Sequence, residues 1–220
     1  MGDPRGGQAR LLRLTRGELP AATAALAEAF ADYPLLVHAV PDPERRKPLA
    51  RAFSAAALGY ALRWGEAYAS SPAMEGIAAW VPSPHFPLTA GKTLRAVPLA
   101  VLVTLGRNGG GRMRGAAAYL DALHRELAPA DHLFLFVLGV RPEFRGRGHA
   151  SRLLRPVLAR LDREGRPCYV DTVNGDAVAM YEHFGFRVLA ESRIPGTDLT
   201  AWALVRQPAP PGGGRSPGGA

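Results

Sequence analysis

The residues of this chain best suited to chemistry lie in one short run, Arg145-Gly146-Arg147-Gly148-His149-Ala150. Alternate glycines let a backbone turn tightly, with successive N–H groups facing inward. Those donors, with the N-terminus of a following helix, make an anion site. Arg145 and Arg147 would add charge-assisted hydrogen bonds of the kind that suit a phosphate. Ser151 stands directly behind the run, and His149 is read as pointing out of the turn into solvent. A Gly-x-Gly alone marks a plain turn. This one follows a strongly apolar stretch and opens an amphipathic one. One strand later comes a second cluster, Asn174 and then Tyr181-Glu182-His183-Phe184-Gly185-Phe186.

The elements around these clusters follow from periodicity. Residues 133–140 are apolar on both alternating faces, Leu133, Leu135 and Val137 on one and Phe134, Phe136 and Leu138 on the other. A strand covered on both sides is central to its sheet. Ala150, Leu153, Leu154, Val157, Leu158 and Leu161 recur at helical spacing, with Pro156 predicting a kink near 152–156. Residues 167–171 read as the next strand, Asn174-Gly175 as a turn, and 177–184 as a short helix closed by Gly185. Final strands are predicted at 186–190 and 199–205.

Upstream, residues 10–15 form a first strand, and Thr15 is placed to cap the helix after it. That helix carries Leu19, Ala22, Leu26, Ala29 and Phe30 to about Asp32, where Tyr33-Pro34 ends it. A loop with His38 follows. The next helix shows Leu49, Phe53, Ala56, Ala57, Tyr60 and Trp64 on one face and stops at Gly65. Residues 66–70 and 76–81 read as a hairpin. Residues 82–130 read as a helical insertion, with helices near 91–105 and 114–127 and a glycine break at 109–111. Residues 1–9 and 207–220 are rich in Gly and Pro and are expected to be disordered tails. One α/β domain over 10–206 results, with helices alternating with strands in its second half.

Composition narrows the classes. The apolar fraction of 47% is ample for a full core, and the net charge is +8. Nucleic-acid binding would need a basic stripe with interleaved aromatics, and none is visible. A basic cleft for a polyanionic small molecule fits the charge better. No apolar run is long enough to span a bilayer, and the N-terminus has no apolar signal region. A cytoplasmic protein without a membrane partner is the expectation. A single cysteine, Cys168, excludes an internal disulfide. With six histidines at no ligand spacing, no metal site is expected.

Together the two clusters resemble the GCN5-related N-acetyltransferase (GNAT) superfamily. Members carry Arg/Gln-x-x-Gly-x-Gly/Ala at the start of a helix, here Arg145, Gly148 and Ala150, after a strand-to-loop run like Val140-Arg-Pro-Glu-Phe. Their later Asn…Tyr-Glu-x-x-Gly-Phe is matched by Asn174, Tyr181, Glu182, Gly185 and Phe186. The spacing is not that of the dinucleotide fingerprint, which also needs an acidic residue that is missing here. Upstream, Ala29-Phe30-Ala31-Asp32-Tyr33-Pro34, His38, Asp42-Pro43-Glu44-Arg45 and Ala79-Trp80 resemble the puromycin N-acetyltransferase group.

The resemblance implies a mixed, twisted sheet of six to seven strands, roughly, with one parallel pair splayed for acetyl-CoA. Its pantetheine would pair with backbone at Leu138, Gly139 and Val140. Its pyrophosphate would sit on Arg145, Gly146, Arg147, Gly148, His149 and Ala150, with Ser151. Asn174 would hydrogen-bond the arm, and Tyr181 would be the general acid. The chemistry agrees: an amine attacks the thioester directly, and a tyrosine of ordinary pKa about 10 can protonate a leaving thiolate of about 8.5. Without that setting Tyr181 would read as core packing, and Asn174 as a turn cap.

The acceptor implied is a small molecule with a free amine, bound by a monomer or homodimer. Asp32, Tyr33 and Trp80 are the residues placed beside it. Asp32, Glu66 and Asp171 stand as alternatives for the base that deprotonates it. Acceptors of another kind, a protein N-terminus or lysine, remain open, as does a non-catalytic acyl-CoA-binding module.

Overall fold

The computed structural model describes residues 11–209. The expected tail at 1–9, most of that at 207–220, and Arg10 of the first strand lie outside those residues. Seven strands form one sheet in the order β1-β2-β3-β4-β5-β7-β6. They are β1 (Leu12–Arg13), β2 (Glu66–Ala69), β3 (Gly76–Pro82), β4 (Leu133–Val140), β5 (Cys168–Thr172), β6 (Arg187–Arg193) and β7 (Thr200–Arg206). All neighbours are antiparallel except β4 and β5, which run parallel. The mixed α/β sheet with one parallel pair agrees with the sequence expectation.

The helices are α1 (Leu19–Ala29), α2 (Pro34–Ala39), α3 (Pro43–Trp64), α4 (Ala90–Ala96), α5 (Leu99–Leu105), α6 (Gly111–Leu127), α7 (His149–Glu164) and α8 (Val178–His183). Leu153, Leu154, Val157, Leu158 and Leu161 of α7 pack one face of the sheet, with Tyr181 and Phe186. The other face is covered by α1, α3 and α6 through Leu26, Leu49, Leu58, Tyr60 and Met113. As the spacing requires, α7 buries one stripe; it runs unbroken through Pro156, which lies on its exposed side.

Several boundaries differ from the sequence reading. Helix α1 stops at Ala29, and Pro34 does not end it but opens α2. At the first helical position a proline loses no hydrogen bond, so His38 lies on a helix rather than in a loop. Thr15 does not cap α1: it donates through its backbone N–H and its hydroxyl to Glu18 Oε2, at 2.8 and 2.6 Å. The 91–105 helix is divided at Val97-Pro98 into α4 and α5. Asp42 caps α3, accepting from the N–H groups of Glu44 and Arg45 at 2.9 and 3.1 Å.

The faces of β4 need the largest correction. Trp80 of β3 is opposite Leu135, and Ala79 is opposite Val137, so Phe136 is an extra residue. Such a bulge bends its strand and re-aims the side chains beyond it. Val137 therefore joins the α1–α3 side, and Leu138 packs on the α7 side. Gly139 lies under α1: a Cβ there would stand 2.8 Å from Leu26 Cδ1 and 2.9 Å from both Ala29 Cβ and Phe30 Cε2.

Arg46 ties α1, α2 and α3 together. It is 4% exposed. Its guanidinium donates to the carbonyls of Ala31, Val40 and Pro41 and to Asp32 Oδ1, at 2.6 to 2.9 Å.

Candidate active site

Strands β4 and β5 pair only at Leu133–Cys168 and Phe134–Tyr169. Pairing ends just before the Phe136 bulge, and from there the strands diverge. Along 135–140, β4 is paired with β3 alone, so its other edge is an open row of backbone donors and acceptors. A cleft of about 1120 Å³ occupies the opening. Leu138, Gly139 and Val140 line it, as do Asn174 and Tyr181.

At one end is the basic turn. Gly146 and Gly148 have φ of +73° and +80°, the left-handed region, with open space where a Cβ would be. Their role is thus conformational: they turn the chain so that α7 begins at the cleft. The N–H groups of His149, Ala150 and Ser151 stand in the first turn of α7, where no intrahelical acceptor exists. Gly146, Gly148, Ala150 and Ser151 line the cleft.

The basic side chains do less here than their sequence position suggests. Arg145 lines the cleft but is tethered to the Val140 carbonyl at 3.4 Å and the Ala29 carbonyl at 3.2 Å. Arg147 is outside the cleft lining, with its guanidinium 5.6 Å from the centre of the Phe144 ring. His149 is not solvated. It is 9% exposed, and its Nδ1 lies 3.0 Å from Ser70 Oγ in the β2–β3 turn.

Asn174 uses its side-chain oxygen to accept the Asp176 N–H at 3.3 Å, which closes the turn into α8. Tyr181 faces the cleft from α8 while its ring packs at a tilt against Phe186, 5.6 Å between centres. Burial raises its hydroxyl well above the usual tyrosine value, and neighbouring Tyr33 and Asp171 add to the rise. Tyr33 also lines the cleft; its hydroxyl accepts the Val173 N–H at 3.4 Å, and burial pushes its pKa up to about 12.

One residue expected beside the acceptor stands away from the cleft. Trp80 is fully buried among Leu135, Leu153 and Leu158 on the α7 side and does not reach the cleft. In β3 its alternation sends it away from the opening. Asp32 lies at the mouth, but its carboxylate is 85% exposed and engaged with Arg46, so it is no poised base. Glu66 lies outside the cleft lining and is engaged: Arg160 holds both of its oxygens and the Tyr68 hydroxyl donates to it at 2.9 Å.

Of the three carboxylates only Asp171 is both largely shielded from solvent and in the cleft lining. It looks onto a chamber made by the 82–130 insertion, where Phe86, Val97, Leu102, Met113, Leu120 and Asp121 line the wall. Burial raises both Asp171 and Asp121 above the ordinary carboxylate range, and Asp171 raises Asp121 further. Behind Asp171, His124 of α6 lies with Nδ1 3.6 Å from Asp171 Oδ2 and Nε2 2.9 Å from His132 Nε2. The His124 ring stacks on Phe86, 3.8 Å between centres and 14° apart. No spacing rule joins histidines eight apart on either side of a turn. His124 nevertheless falls on the inward stripe of α6, with Met113 and Ala116 buried and Leu120 half-buried, and a histidine on such a stripe is a signal carried by the sequence.

Among the described residues, no group of His, Cys, Asp and Glu could hold a metal, and no helix is long and apolar enough to cross a membrane.

Residues 80–186 match the model of the Acetyltransferase (GNAT) family. An uncharacterized N-acetyltransferase of Schizosaccharomyces pombe is 32% identical over 85 residues. That stretch is 36% of this chain, and it spans about a third of the curated relative, 34%. A solved structure described as histone acetyltransferase HPA2 and related acetyltransferase, from Corynebacterium glutamicum, superposes with a TM-score of 0.59 at 21% identity, over 92% of this chain and 97% of that one. The polyamine N-acetyltransferase of Drosophila melanogaster, an enzyme that forms N-acetylagmatine, gives a TM-score of 0.60 at 18% identity, over 90% and 99%. At these identities the two structures speak for the fold. The segment that holds β4, the basic turn, α7, β5 and α8 is thus the part of the chain that resembles the GNAT family, and the sheet around it is similar in fold to these two solved acetyltransferases.

Proposed function

We propose that this chain transfers the acetyl group of acetyl-CoA to a primary amine of a small molecule, by direct attack in a ternary complex. The observation that carries the reading is that the glycine turn, the open edge of β4 and the Tyr181 hydroxyl all meet one cleft. Acetyl-CoA fits it: the left-handed glycines leave free space, and the first turn of α7 offers unpaired N–H donors. When bound, it supplies an acetyl group already activated as a thioester.

Each part of the chain then has a task. Backbone at Leu138, Gly139 and Val140 holds the pantetheine arm, aided by the Asn174 amide. Residues 145–150 and Ser151 hold the pyrophosphate, chiefly through backbone N–H groups, with Arg145 as the nearby positive charge. A backbone N–H near Val140 steadies the charge that develops on the carbonyl oxygen. Tyr181 gives its proton to the departing sulfur. Burial keeps that hydroxyl protonated at neutral pH and makes a thiolate formed in the same enclosed space a stronger base.

The acceptor end supports a cationic amine on a largely apolar body. Asp121 and Asp171 give it negative charge, and the insertion gives it aromatic and aliphatic walls. The relative that forms N-acetylagmatine acts on an amine of this charge type. The upstream likeness to the puromycin group adds aminonucleoside antibiotics to the acceptors worth testing. Thiol release from acetyl-CoA, followed across agmatine, phenylethylamine, puromycin, an aminoglycoside and a peptide, tests the reading. Turnover with small amines is the expected result. Turnover on the peptide alone would replace it with protein acetylation, and background rates throughout would leave an acyl-CoA-binding module.

A further inference from the structure

The proton that an ammonium acceptor must lose has no receiver among the groups that hold acetyl-CoA. Resting on the acetyl-transfer reading, we propose that Asp171 and His124 together take that proton, and that His132 and the Pro129 carbonyl hold the pair in its receptive form.

The contacts fix the protons from the far end inward. A carbonyl only accepts, and His132 Nδ1 lies 2.6 Å from the Pro129 oxygen, so Nδ1 carries the hydrogen. Burial pushes the His132 pKa down to about 4, so the ring is neutral near pH 7 and its Nε2 is bare. That nitrogen is 2.9 Å from His124 Nε2, and one of the two must donate. His124 therefore carries its hydrogen on Nε2. As a neutral ring it turns a bare Nδ1 toward Asp171 Oδ2, 3.6 Å away. These tautomers are assigned from the hydrogen-bond network. They account for His124 Nδ1 being a buried nitrogen with no hydrogen-bond partner.

Two electron pairs thus face one another across a gap too long for a hydrogen bond and too enclosed for ready screening. The side chains are 3% and 13% exposed. One proton satisfies both. The carboxylate lines the cleft and the imidazole does not, so Asp171 meets the amine while His124 and His132 are positioning residues. The other groups facing Asp171 are Asp121 from α6, Tyr33 ahead of α2, Tyr169 on its own strand and Tyr181 from α8. None is a cation; burial raises the Asp171 carboxyl, and His124 is the neighbour that acts against that rise. At the His132 end stand Arg166 and Asp131, of opposite sign.

The balance closes. One proton passes from the ammonium nitrogen to the Asp171–His124 pair, and the freed electron pair forms the N–C bond as the C–S bond breaks. Sulfur takes the Tyr181 proton. The second surplus proton on nitrogen restores Tyr181, and the pair releases its own to solvent once product leaves.

The test combines a pH series with ring spectra. Agmatine and phenylethylamine serve as probe amines, both charged until about pH 10, as a lysine is. Asp171→Asn is expected to lower kcat/KM for the amine by about 100-fold near neutral pH. That deficit shrinks as the pH nears the amine's own pKa, because solvent then supplies free amine. Asp171→Glu recovers part of the loss, and calorimetry shows CoA binding unchanged in both variants. His132→Phe frees His124 to carry its hydrogen on Nδ1 and donate to Asp171. That lowers the proton affinity of the carboxylate and moves the acid limb of the profile down by about one unit. Proton–nitrogen correlation spectra of the wild-type rings should show hydrogen on His132 Nδ1 and His124 Nε2.

A deficit in Asp171→Asn that is equal at all pH values, or the opposite tautomers, would overturn this proposal alone. No wild-type turnover on any amine would overturn the reading beneath it, and the proposal with it.

Discussion

At the turn end of the cleft the polar groups on offer are backbone: N–H donors at the start of α7, aimed by two left-handed glycines. At the other end, the proposed acceptor end, they are side chains, brought together from α6, the approach to β4 and β5. A backbone site can be written in six consecutive residues and read from them. A side-chain site assembled across distant segments exists only once the sheet has formed. The side chains of the turn are less engaged with the cleft than its backbone, since Arg147 lies outside the lining and Arg145 is partly held by carbonyls.

That contrast can be broken experimentally. The largest expected effect lies between the two ends. Tyr181→Phe should lower kcat by about 100- to 1000-fold while CoA binding survives, measured by thiol release and calorimetry. Unchanged turnover would remove the hydroxyl from the mechanism. Next is Gly139→Val, where the added atoms strike Leu26, Ala29 and Phe30. A loss of about 2–3 kcal/mol in denaturant unfolding is expected from overpacking. A smaller pair separates the ends directly. Gly148→Ala puts a side chain in the left-handed region at a cost of about 1 kcal/mol and should raise KM for acetyl-CoA alone. Asp121→Asn should raise KM for a cationic amine about 5- to 10-fold and leave acetyl-CoA untouched. If either variant moved the other substrate's KM, the ends would not be independent.

His132 has its pKa lowered to about 4 by burial, against about 6.5 in an unfolded chain. The unfolded chain binds the extra proton first. The stability due to the neutral ring is therefore complete above about pH 6.5 and is lost as pH falls toward about 4, by up to roughly 3 kcal/mol. Asp121 and Asp171, raised by burial, act in the opposite sense. The comparison of wild type with His132→Phe isolates the histidine: the acid loss in melting temperature should flatten in the variant.

The elements legible in the sequence are those with a strong local period or a strong stop. The α7 stripe, the apolar run of β4, the β2–β3 hairpin and the end of α3 at Gly65 all agree with the structure. The features that escape it are set by neighbours. The Phe136 bulge depends on β3, and strict alternation along β4 hides it. Trp80 beside an expected pocket is an inference from sequence adjacency, and strand alternation buries it on the other face. His149 reads as solvated because a turn precedes it; Ser70, far away in sequence, draws it inward. The insertion shows helices in the sequence but gives no sign there that it lines the cleft, because its apolar residues read equally well as ordinary packing.

The missing side chain at Gly139 has a further consequence for how the molecule assembles. It lets α1 lie almost on β4, and this brings the Ala29 carbonyl within 3.2 Å of Arg145 Nη2, across 116 positions of sequence. The arginine of the turn thus takes part of its orientation from the first helix. A fragment that began at β3 would contain every residue of the turn and still lack this strut. The N-terminal helices therefore brace the basic turn as well as walling the cleft.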